Sequence, residues 1–416
     1  MENKGKKSAL IKGLLGPISI GCVWYGAQMG SGTASGANQM TYFVRFGWIG
    51  LFTTVLAIAV QVWFFYWGIE LSRVSGQHHY QGWIRELVYP LDKFCVPLFD
   101  VLCLLIFPIF TGSCMAGSAQ VLTDYLGMNY TIALVAIMVV FVLMAAYGTK
   151  IISTISSGLT LTMVVVLIVT LVLGIPSNWD NIVLNFNNRV TGEGMYSSIP
   201  MAFWYAVLFI STQTVNLSGL PAVTKGVLKS KQDTKIVCIV ATVCVMITMF
   251  GLSLLLFGRF PGNLDAVIYT LEAVNDLNSP FIYYAYPILL FCAFISTGPI
   301  FVYGQADRWS NAKFWDKLKE TNLLKQKQGL RMALVGALFV IMSFLYSTLG
   351  FGFVTTTLFA WQSYVWIPIA LIPLIFIAPF RVRRMRRQLE TTGKVTTAAS
   401  IRAAEQEIAA KSHSEE

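Results

Sequence analysis

The chain has 416 residues, of which 56% are hydrophobic and only 12% charged, against roughly 25% charged in soluble domains. The deficit lies in long apolar blocks, so the composition excludes a soluble domain with one anchor and predicts an all-α polytopic membrane protein. The formal net charge of +10 reflects how Lys and Arg are distributed between the two sides of the membrane, and it requires no nucleic-acid partner.

Ten segments are apolar over the roughly 20 residues that a membrane-spanning helix needs. In chain order they are 11–44, 48–70, 96–123, 130–148, 151–175, 199–224, 235–257, 282–306, 330–349 and 352–379. The basic N-terminus followed by an apolar run superficially resembles a signal peptide, but no convincing cleavage site follows, so we expect a retained first helix. The predicted domains are a short N-terminus at 1–10, a membrane domain at 11–380 and a basic, polar tail at 381–416.

Small polar residues interrupt the first and sixth segments, at 26–36 and 211–219. Backbone inside lipid must satisfy its own hydrogen bonds, so such breaks persist only where protein encloses them or where they line a cavity. The alternative is close helix packing, which also favours small residues in membrane helices. The length of the first stretch, with its four glycines, favours a binding site.

Unwinding two helices at mid-membrane frees N–H groups, which suit a carboxylate, and C=O groups, which suit a small cation. That combination predicts a zwitterionic amino acid carried with Na⁺. The residues expected to bind the substrate are Gly26, Gln28, Gly30, Ser31, Gly32, Ser35, Gly36, Ser211, Gln213 and Asn216.

The eighth segment contains Ser296-Thr297, followed by Gly298-Pro299. Two adjacent hydroxyls before a helix breaker would complete a Na⁺ site together with carbonyl groups of the first segment. The alternative is local bonding of both hydroxyls to carbonyls of the preceding helical turn, which is common for Ser and Thr.

The positive-inside rule tests the number of spans. With a cytoplasmic N-terminus, only Arg45, Arg189 and Arg259 of the 30 Lys and Arg residues fall on the outer side. Both termini are therefore predicted to be cytoplasmic, in a multi-pass protein of the plasma membrane. Ten spans divide into two repeats of five, about 11–175 and 199–380. Because five is odd, the second repeat is inverted, and each break falls in the first member of its repeat.

Several charged positions lie near the ends of these segments. Asp100 is a shallow intramembrane carboxylate, for which we expect an interfacial, snorkelled position, and Glu70 sits at a predicted helix end. The outer loop 258–281, which carries Asp265, is expected to be partly helical and to cover the site. The tail is expected to be a membrane-surface anchor and solvated, with a short helix at 403–411.

Signals for catalysis are missing from the sequence. The three His residues lie in polar regions, no Walker A or GxSxG pattern occurs, and the seven Cys show no CxxC spacing. We therefore expect neither an enzyme nor a bound cofactor, apart from Na⁺ as coupling ion.

Residues 26–36 and the aromatic stretch 42–47 resemble the first-segment pattern of YkvI-type membrane proteins, which belong to the amino acid–polyamine–organocation transporter group. Residues 115–119 and Ser296-Thr297 are similar to further stretches of that family. The resemblance implies a LeuT-like 5+5 inverted repeat with broken helices 1 and 6. It also implies that Gly30, Gly32, Ser35 and Gly36 line the site and that Ser296 and Thr297 match the family's sodium-site hydroxyls. This chain departs from the pattern at Ala37-Asn38, where the family has Gln-Glu, and at Gln213, where it has Asn.

The leading hypothesis is a secondary active transporter of an amino acid or a related small organic solute, coupled to Na⁺ and working by alternating access. A membrane sensor that binds a solute without moving it is the alternative from another class. A metal-ion carrier on the same fold is weaker, because the breaks hold no Asp, His or Cys and only Met29 is a soft ligand. The expected partners are the solute, the coupling ion and the lipid bilayer.

Overall fold

The computed structural model describes residues 2–147, 149–262, 264, 266–277, 279–318 and 323–414, and its regular structure in these ranges is helical throughout. The helices are α1 (Glu2–Gln28), α2 (Ser31–Ala34), α3 (Ala37–Tyr42), α4 (Trp48–Ser75), α5 (Tyr80–Val88), α6 (Asp92–Leu126), α7 (Tyr130–Tyr147), α8 (Thr149–Ser177), α9 (Trp179–Asn187), α10 (Ile199–Gln213), α11 (Asn216–Thr224), α12 (Lys231–Phe257), α13 (Tyr269–Asn275), α14 (Pro280–Ser310), α15 (Leu323–Gln326), α16 (Gln328–Ser347), α17 (Phe351–Thr392) and α18 (Ala398–Ser414).

Long apolar helices account for the predicted spans. In the described part of the chain, six helices are long and apolar enough to cross a membrane, and a bent pair formed by the end of α8 and α9 makes a seventh. Two shorter apolar helices lie within α7 and α10. Each of the ten predicted segments coincides with one of these helices or with a broken helix, so the all-helical membrane architecture is confirmed.

The helix bundle is organised around α14. The most apolar 18-residue stretch of α14 is 72% buried, whereas that of α16 is only 22% buried. α14 packs against α6, α8 and α16, and α12 packs against α1 and α4. On the outer face of α16, exposed apolar side chains follow helical spacing, which is the pattern of a lipid-facing stripe: Leu334, Leu338, Ile341 and Leu345.

Both predicted helix breaks are present. The sixth segment ends as α10 at Gln213 and resumes as α11 at Asn216. The first segment is interrupted twice, after α1 at Gln28 and again between α2 and α3. The second interruption passes through Gly36 at φ +80°, a left-handed conformation that a side chain disfavours and glycine adopts readily.

The two ends of the bundle differ in charge. We call the end formed by α5, the last turn of α4, the start of α12 and the tail helices the basic end. The opposite end carries α9 and α13. The helix α13 lies within the predicted outer loop 258–281, so the partial helicity expected there is confirmed, while Asp265 lies outside the described residues.

Asp100 is enclosed by protein, so the expectation that its side chain snorkels outward was wrong, while its interfacial depth stays a prediction. Its residue is only 6% exposed, and its carboxylate pairs with Arg308 at 2.7 Å. The Tyr80 hydroxyl and the Gln81 amide each donate to it at 2.7 Å. Two helices that are distant in sequence, α5 and α14, therefore enclose this carboxylate and neutralise it.

Glu70 is likewise fully buried, and α4 continues past it to Ser75. It is paired with Arg73 and with Arg386 of the tail, and it accepts a hydrogen bond from the Thr234 hydroxyl at 2.6 Å. The basic end is thus held together by buried, compensated charge.

The tail packs on the protein, and the expectation of a solvated surface anchor was incomplete. The predicted helix at 403–411 belongs to α18, which starts at Ala398. Arg402 of this helix pairs with Asp92 at 2.5 Å and donates to the Pro90 carbonyl at 2.9 Å. Burial of Ala398 at the start of α18 shows that the helix is seated rather than free.

Candidate solute site

A cavity lies where the breaks of both interrupted helices meet α6, α14 and α17. Uncharged polar groups and three phenylalanine rings form most of its wall. The described residues that line it are Ala27, Gln28, Gly30, Ser31, Gly32, Thr33, Asn38, Phe110, Cys114, Thr212, Gln213, Asn216, Thr297, Phe301 and Phe359.

A second cavity continues from the first toward the basic end. The two share Ala27, Asn216, Thr297 and Phe301 in their walls. The second is bounded near the basic end by Tyr80, whose hydroxyl binds the Asp100–Arg308 pair. Together they outline a path from the helix breaks to the basic end.

Six of the ten residues predicted to bind the substrate reach the wall of the first cavity. Hydrogen bonds to neighbouring side chains hold several of their polar groups in place. Gln28, for example, forms a reciprocal amide pair with Gln61, at 2.6 and 3.3 Å. The six are Gln28, Gly30, Ser31, Gly32, Gln213 and Asn216.

Across the second break, the Asn216 amide donates to Gln213 Oε1 at 3.0 Å. This bond joins the end of α10 to the start of α11. Ser31 Oγ lies 2.5 Å from Ser113 Oγ and so ties α2 to α6. The wall is therefore a network of mutually bonded uncharged groups, which fixes its shape.

Four predicted residues lie behind the wall and support it. The Gly26 carbonyl accepts a hydrogen bond from the Thr297 hydroxyl at 3.1 Å. Ser35 Oγ donates to the Ser31 carbonyl at 2.5 Å, and Ser211 Oγ donates to the Ser363 carbonyl at 2.7 Å. The fourth, Gly36, forms the left-handed joint between α2 and α3.

The two hydroxyls of the predicted Na⁺ site behave differently. Thr297 reaches the first broken helix at the Gly26 carbonyl, whereas Ser296 donates to the Ala293 carbonyl of its own helix at 3.0 Å. A Cβ on Gly30 would lie 3.0 Å from Thr297 Cγ2, so the break between α1 and α2 approaches α14 closely here. The approach brings a carbonyl and a hydroxyl together, and hard oxygen ligands of this kind suit small cations.

Residues beyond the predicted ones complete the wall, and Asn38 is the most informative of these. A Cβ on Gly32 would lie 2.6 Å from Asn38 Oδ1, so the amide occupies the space that the glycine leaves. Asn38 Nδ2 donates to Thr33 Oγ1 at 3.1 Å. Of the positions where the chain departs from the pattern it resembles, Asn38 and Gln213 line the cavity and Ala37 does not.

Aromatic rings form the apolar side of the cavity. The ring centroid of Phe110 lies 4.7 Å from that of Phe359 and 5.2 Å from that of Phe301. These rings come from α6, α14 and α17. No single segment of the sequence carries a signal for them, because each lies in an ordinary apolar span.

On the side of the first break that faces the opposite end of the bundle, three hydrogen bonds join the end of α2 to α13 and α14. The backbone N–H of Thr270 donates to the Ser35 carbonyl at 3.1 Å, and its hydroxyl donates to the Ala34 carbonyl at 2.9 Å. The Tyr286 hydroxyl donates to the same Ala34 carbonyl at 3.0 Å. We call these three bonds the outer seal.

No family model and no curated protein matched the sequence. Among solved structures, a Na⁺-coupled sialic acid symporter in a substrate-bound, outward-open state is similar, with a TM-score of 0.63 and 15% identity over 87% of this chain and 79% of that one. A manganese transporter of Eremococcus coleocola gives a TM-score of 0.52 at 12% identity, covering 96% and 92% of the two chains. MhsT in complex with L-phenylalanine also gives 0.52, at 13% identity over 88% and 97%. At these identities the likeness establishes the architecture: the chain has the LeuT-like fold, with its first and sixth helices broken.

Proposed function

We propose that the protein is a secondary active transporter that moves an amino acid, or a related small zwitterionic solute, by alternating access and coupled to Na⁺. The observation that carries this proposal is the cavity that the two helix breaks create together inside a LeuT-like fold. Discontinuous helices at a repeat interface are where transporters of such folds place their substrates.

The chemistry of the wall favours a solute with balanced charge. None of the described lining residues carries a formal charge, and burying an unpaired charge is costly. A zwitterion brings both signs, which the opposite partial charges at the ends of broken helices complement. The rings of Phe110, Phe301 and Phe359 offer an apolar surface to the remainder of the molecule.

Na⁺ coupling is supported by the approach of Thr297 to the Gly26 carbonyl. The similar sialic acid symporter is itself described as Na⁺-coupled. Ser296 adds a second hydroxyl on the adjacent position of α14.

The distribution of Lys and Arg supports an orientation with the basic end, and hence both termini, in the cytoplasm of a plasma-membrane protein. Within the LeuT-like group, the first-segment pattern supports a place among YkvI-type proteins. Of the substrate-binding residues predicted from the sequence, the six at the cavity wall are proposed to contact the solute and the other four to support that wall. Asn38 and the three phenylalanines are added from the cavity.

Uptake by the purified protein in liposomes tests the proposal directly. We expect at least one member of a broad set of amino acids, betaines and amines to accumulate under an inward Na⁺ gradient, and accumulation to collapse when the gradient is dissipated. Binding without any uptake or exchange would instead support the sensor hypothesis.

The ion site has its own test, replacement of Ser296 and Thr297 together by Ala. We expect the double variant to require a higher Na⁺ concentration for half-maximal uptake. Ser343→Ala is the matched control, since Ser343 is buried, bonded to the Phe339 carbonyl of its own helix and absent from the cavity wall. An unchanged Na⁺ dependence in the double variant would refute the site.

The described residues offer no set of ligands that would support the metal-carrier hypothesis. In the described residues no group of three His, Cys, Asp or Glu side chains converges. Cys114 is a soft ligand at the cavity wall, while Met29 is buried in the core.

A further inference from the structure

We propose that Asn38 makes the site selective for solutes whose ammonium group carries at least one N–H, against fully N-methylated counterparts. This inference rests on the proposed function, because it assigns a determinant of specificity within the same cavity.

The first observation is a buried acceptor without a partner at the cavity wall. Asn38 is only 5% exposed, and its Oδ1 accepts no hydrogen bond from any described residue. An unsatisfied buried polar atom is costly, and native proteins contain few of them. A donor arriving with the solute would satisfy this one.

The two glutamine side-chain oxygens at the wall are already engaged. Gln28 Oε1 accepts from Gln61, and Gln213 Oε1 accepts from Asn216. Asn38 therefore differs from these two glutamines, because its oxygen holds no side-chain bond that a ligand would have to break.

The second observation is that the acceptor is held in place. Asn38 Nδ2 is bonded to Thr33 Oγ1, and the amide lies against Gly32, where a side chain would displace it. The rest of α3 is also anchored: the Gln39 amide donates to the Thr33 carbonyl at 3.2 Å, and the Tyr42 hydroxyl lies 3.2 Å from Ser363 Oγ. An acceptor fixed in this way loses little freedom when it binds a donor.

A primary, secondary or tertiary ammonium can donate to Asn38 Oδ1, and a quaternary ammonium cannot. A hydrogen bond to a charged donor is strong enough to change affinity by about tenfold or more. The three methyl groups of a quaternary ammonium would also leave the buried oxygen desolvated and unpaired. Both effects act in the same direction.

The experiment measures binding to the full chain in lipid nanodiscs by isothermal titration calorimetry, with Na⁺ present. The probes are alanine, glutamine and phenylalanine, each compared with its N,N,N-trimethyl derivative. For a probe pair that binds, we expect the amino acid to bind about tenfold or more tightly than its trimethyl derivative.

Two variants assign this preference to Asn38. Asn38→Leu, which is similar in size but lacks the acceptor, should weaken binding of the amino acid about tenfold and leave the trimethyl derivative unchanged. Asn38→Asp keeps an acceptor of the same shape and should retain the preference. If Asn38→Leu does not yield folded protein, Asn38→Asp still decides, since loss of the preference there would contradict an acceptor role. Asn311→Leu, on the exposed surface beyond α14, is the control.

The outcomes separate the two proposals. Equal affinity for both members of each pair, or a preference that survives in Asn38→Leu, overturns the selectivity inference and leaves the transporter proposal standing. No uptake of any solute in the liposome experiment overturns the proposed function and, with it, this inference.

Discussion

At the scale of single residues, the glycines of the first break serve different purposes. Gly36 supplies a left-handed backbone conformation. Gly30 allows the break between α1 and α2 to approach Thr297 of α14. Gly32 leaves room for the amide of Asn38, and so the space opened by the break is partly filled by a polar side chain of the same segment.

Gly32→Leu should abolish solute binding and uptake while the protein still inserts and folds. A Cβ at this position would lie 2.6 Å from Asn38 Oδ1, so the side chain must push the amide away and occupy the cavity. Uptake and binding by the purified variant measure the effect, with size-exclusion chromatography to verify folding.

Gly329→Ala is the matched control for this substitution. Gly329 is helical, and no atom would lie within 4 Å of an added Cβ, so we expect wild-type uptake. Uptake by Gly32→Leu at the rate of this control would show that the cavity is not the transport site.

At the scale of secondary structure, the short helix α5 joins two features of the basic end. Its first residues, Tyr80 and Gln81, bind Asp100 beside the second cavity. Glu86, near its other end, accepts hydrogen bonds from the backbone N–H groups of Ala398 and Ala399 at 2.9 and 3.4 Å. A carboxylate at this point favours the first turn of α18, whose N–H groups have no partner within the helix.

A carboxylate at the start of α6 strengthens the attachment of the tail. Arg402 donates to both carboxylate oxygens of Asp92, at 2.5 and 3.2 Å. A bidentate pair between a guanidinium and a carboxylate is stronger than a hydrogen bond between neutral groups. The pair therefore favours the seated tail.

Glu86→Ala combined with Arg402→Ala should release α18 from the basic end. Removing both attachments exposes the tail, so we expect faster amide hydrogen exchange and faster proteolysis within 398–414, with little change in the membrane helices. Arg384→Ala is the control, because Arg384 is exposed on α17. Equal protection of α18 in the double variant and the wild type would show that these contacts do not hold the tail.

At the scale of the whole molecule, the two ends of the bundle are sealed unequally. Toward the opposite end, the outer seal binds carbonyl groups of the first break directly. Toward the basic end, a second cavity extends from the site as far as Tyr80. The second cavity therefore lies between the site and the basic end, while no such cavity is described between the site and the outer seal.

Uptake should depend on the Na⁺ gradient and vary little with pH across the neutral range. The described lining residues include no Asp, Glu, His, Lys or Arg that would take up and release a proton. Uptake driven by imposed Na⁺ and H⁺ gradients, measured separately in the same liposomes, checks this. Accumulation driven by a H⁺ gradient without Na⁺ would contradict it.

The sequence predicts the architecture well because the features that indicate it lie in continuous stretches of the chain. Apolar length marks the spans, glycine and amide residues mark the breaks, and the three outer arginines fix the alternation. The same signals place Gln28, Gly30 and Gln213 at the cavity. They miss Asn38, which reaches the wall only because the chain turns back at Gly36.

Long-range packing decides the remainder. The three phenylalanines converge from separate helices, and their sequence context does not differ from that of other apolar spans. The sequence predicts an interfacial position for Asp100 from its depth alone. Its partner Arg308 lies 208 positions later in the chain, and no residue near Asp100 indicates that pairing. Partners at such separations are set by the tertiary fold.

The outer seal also has a thermodynamic consequence for the alternating access proposed above. Opening the site toward the opposite end would break three hydrogen bonds, which at about 1 kcal/mol net each would disfavour that arrangement about a hundredfold. Apparent affinity measured from that side would then fall in proportion to the small competent fraction. All three bonds end on backbone carbonyl groups, so side-chain substitution can remove only the hydroxyl donors of Thr270 and Tyr286.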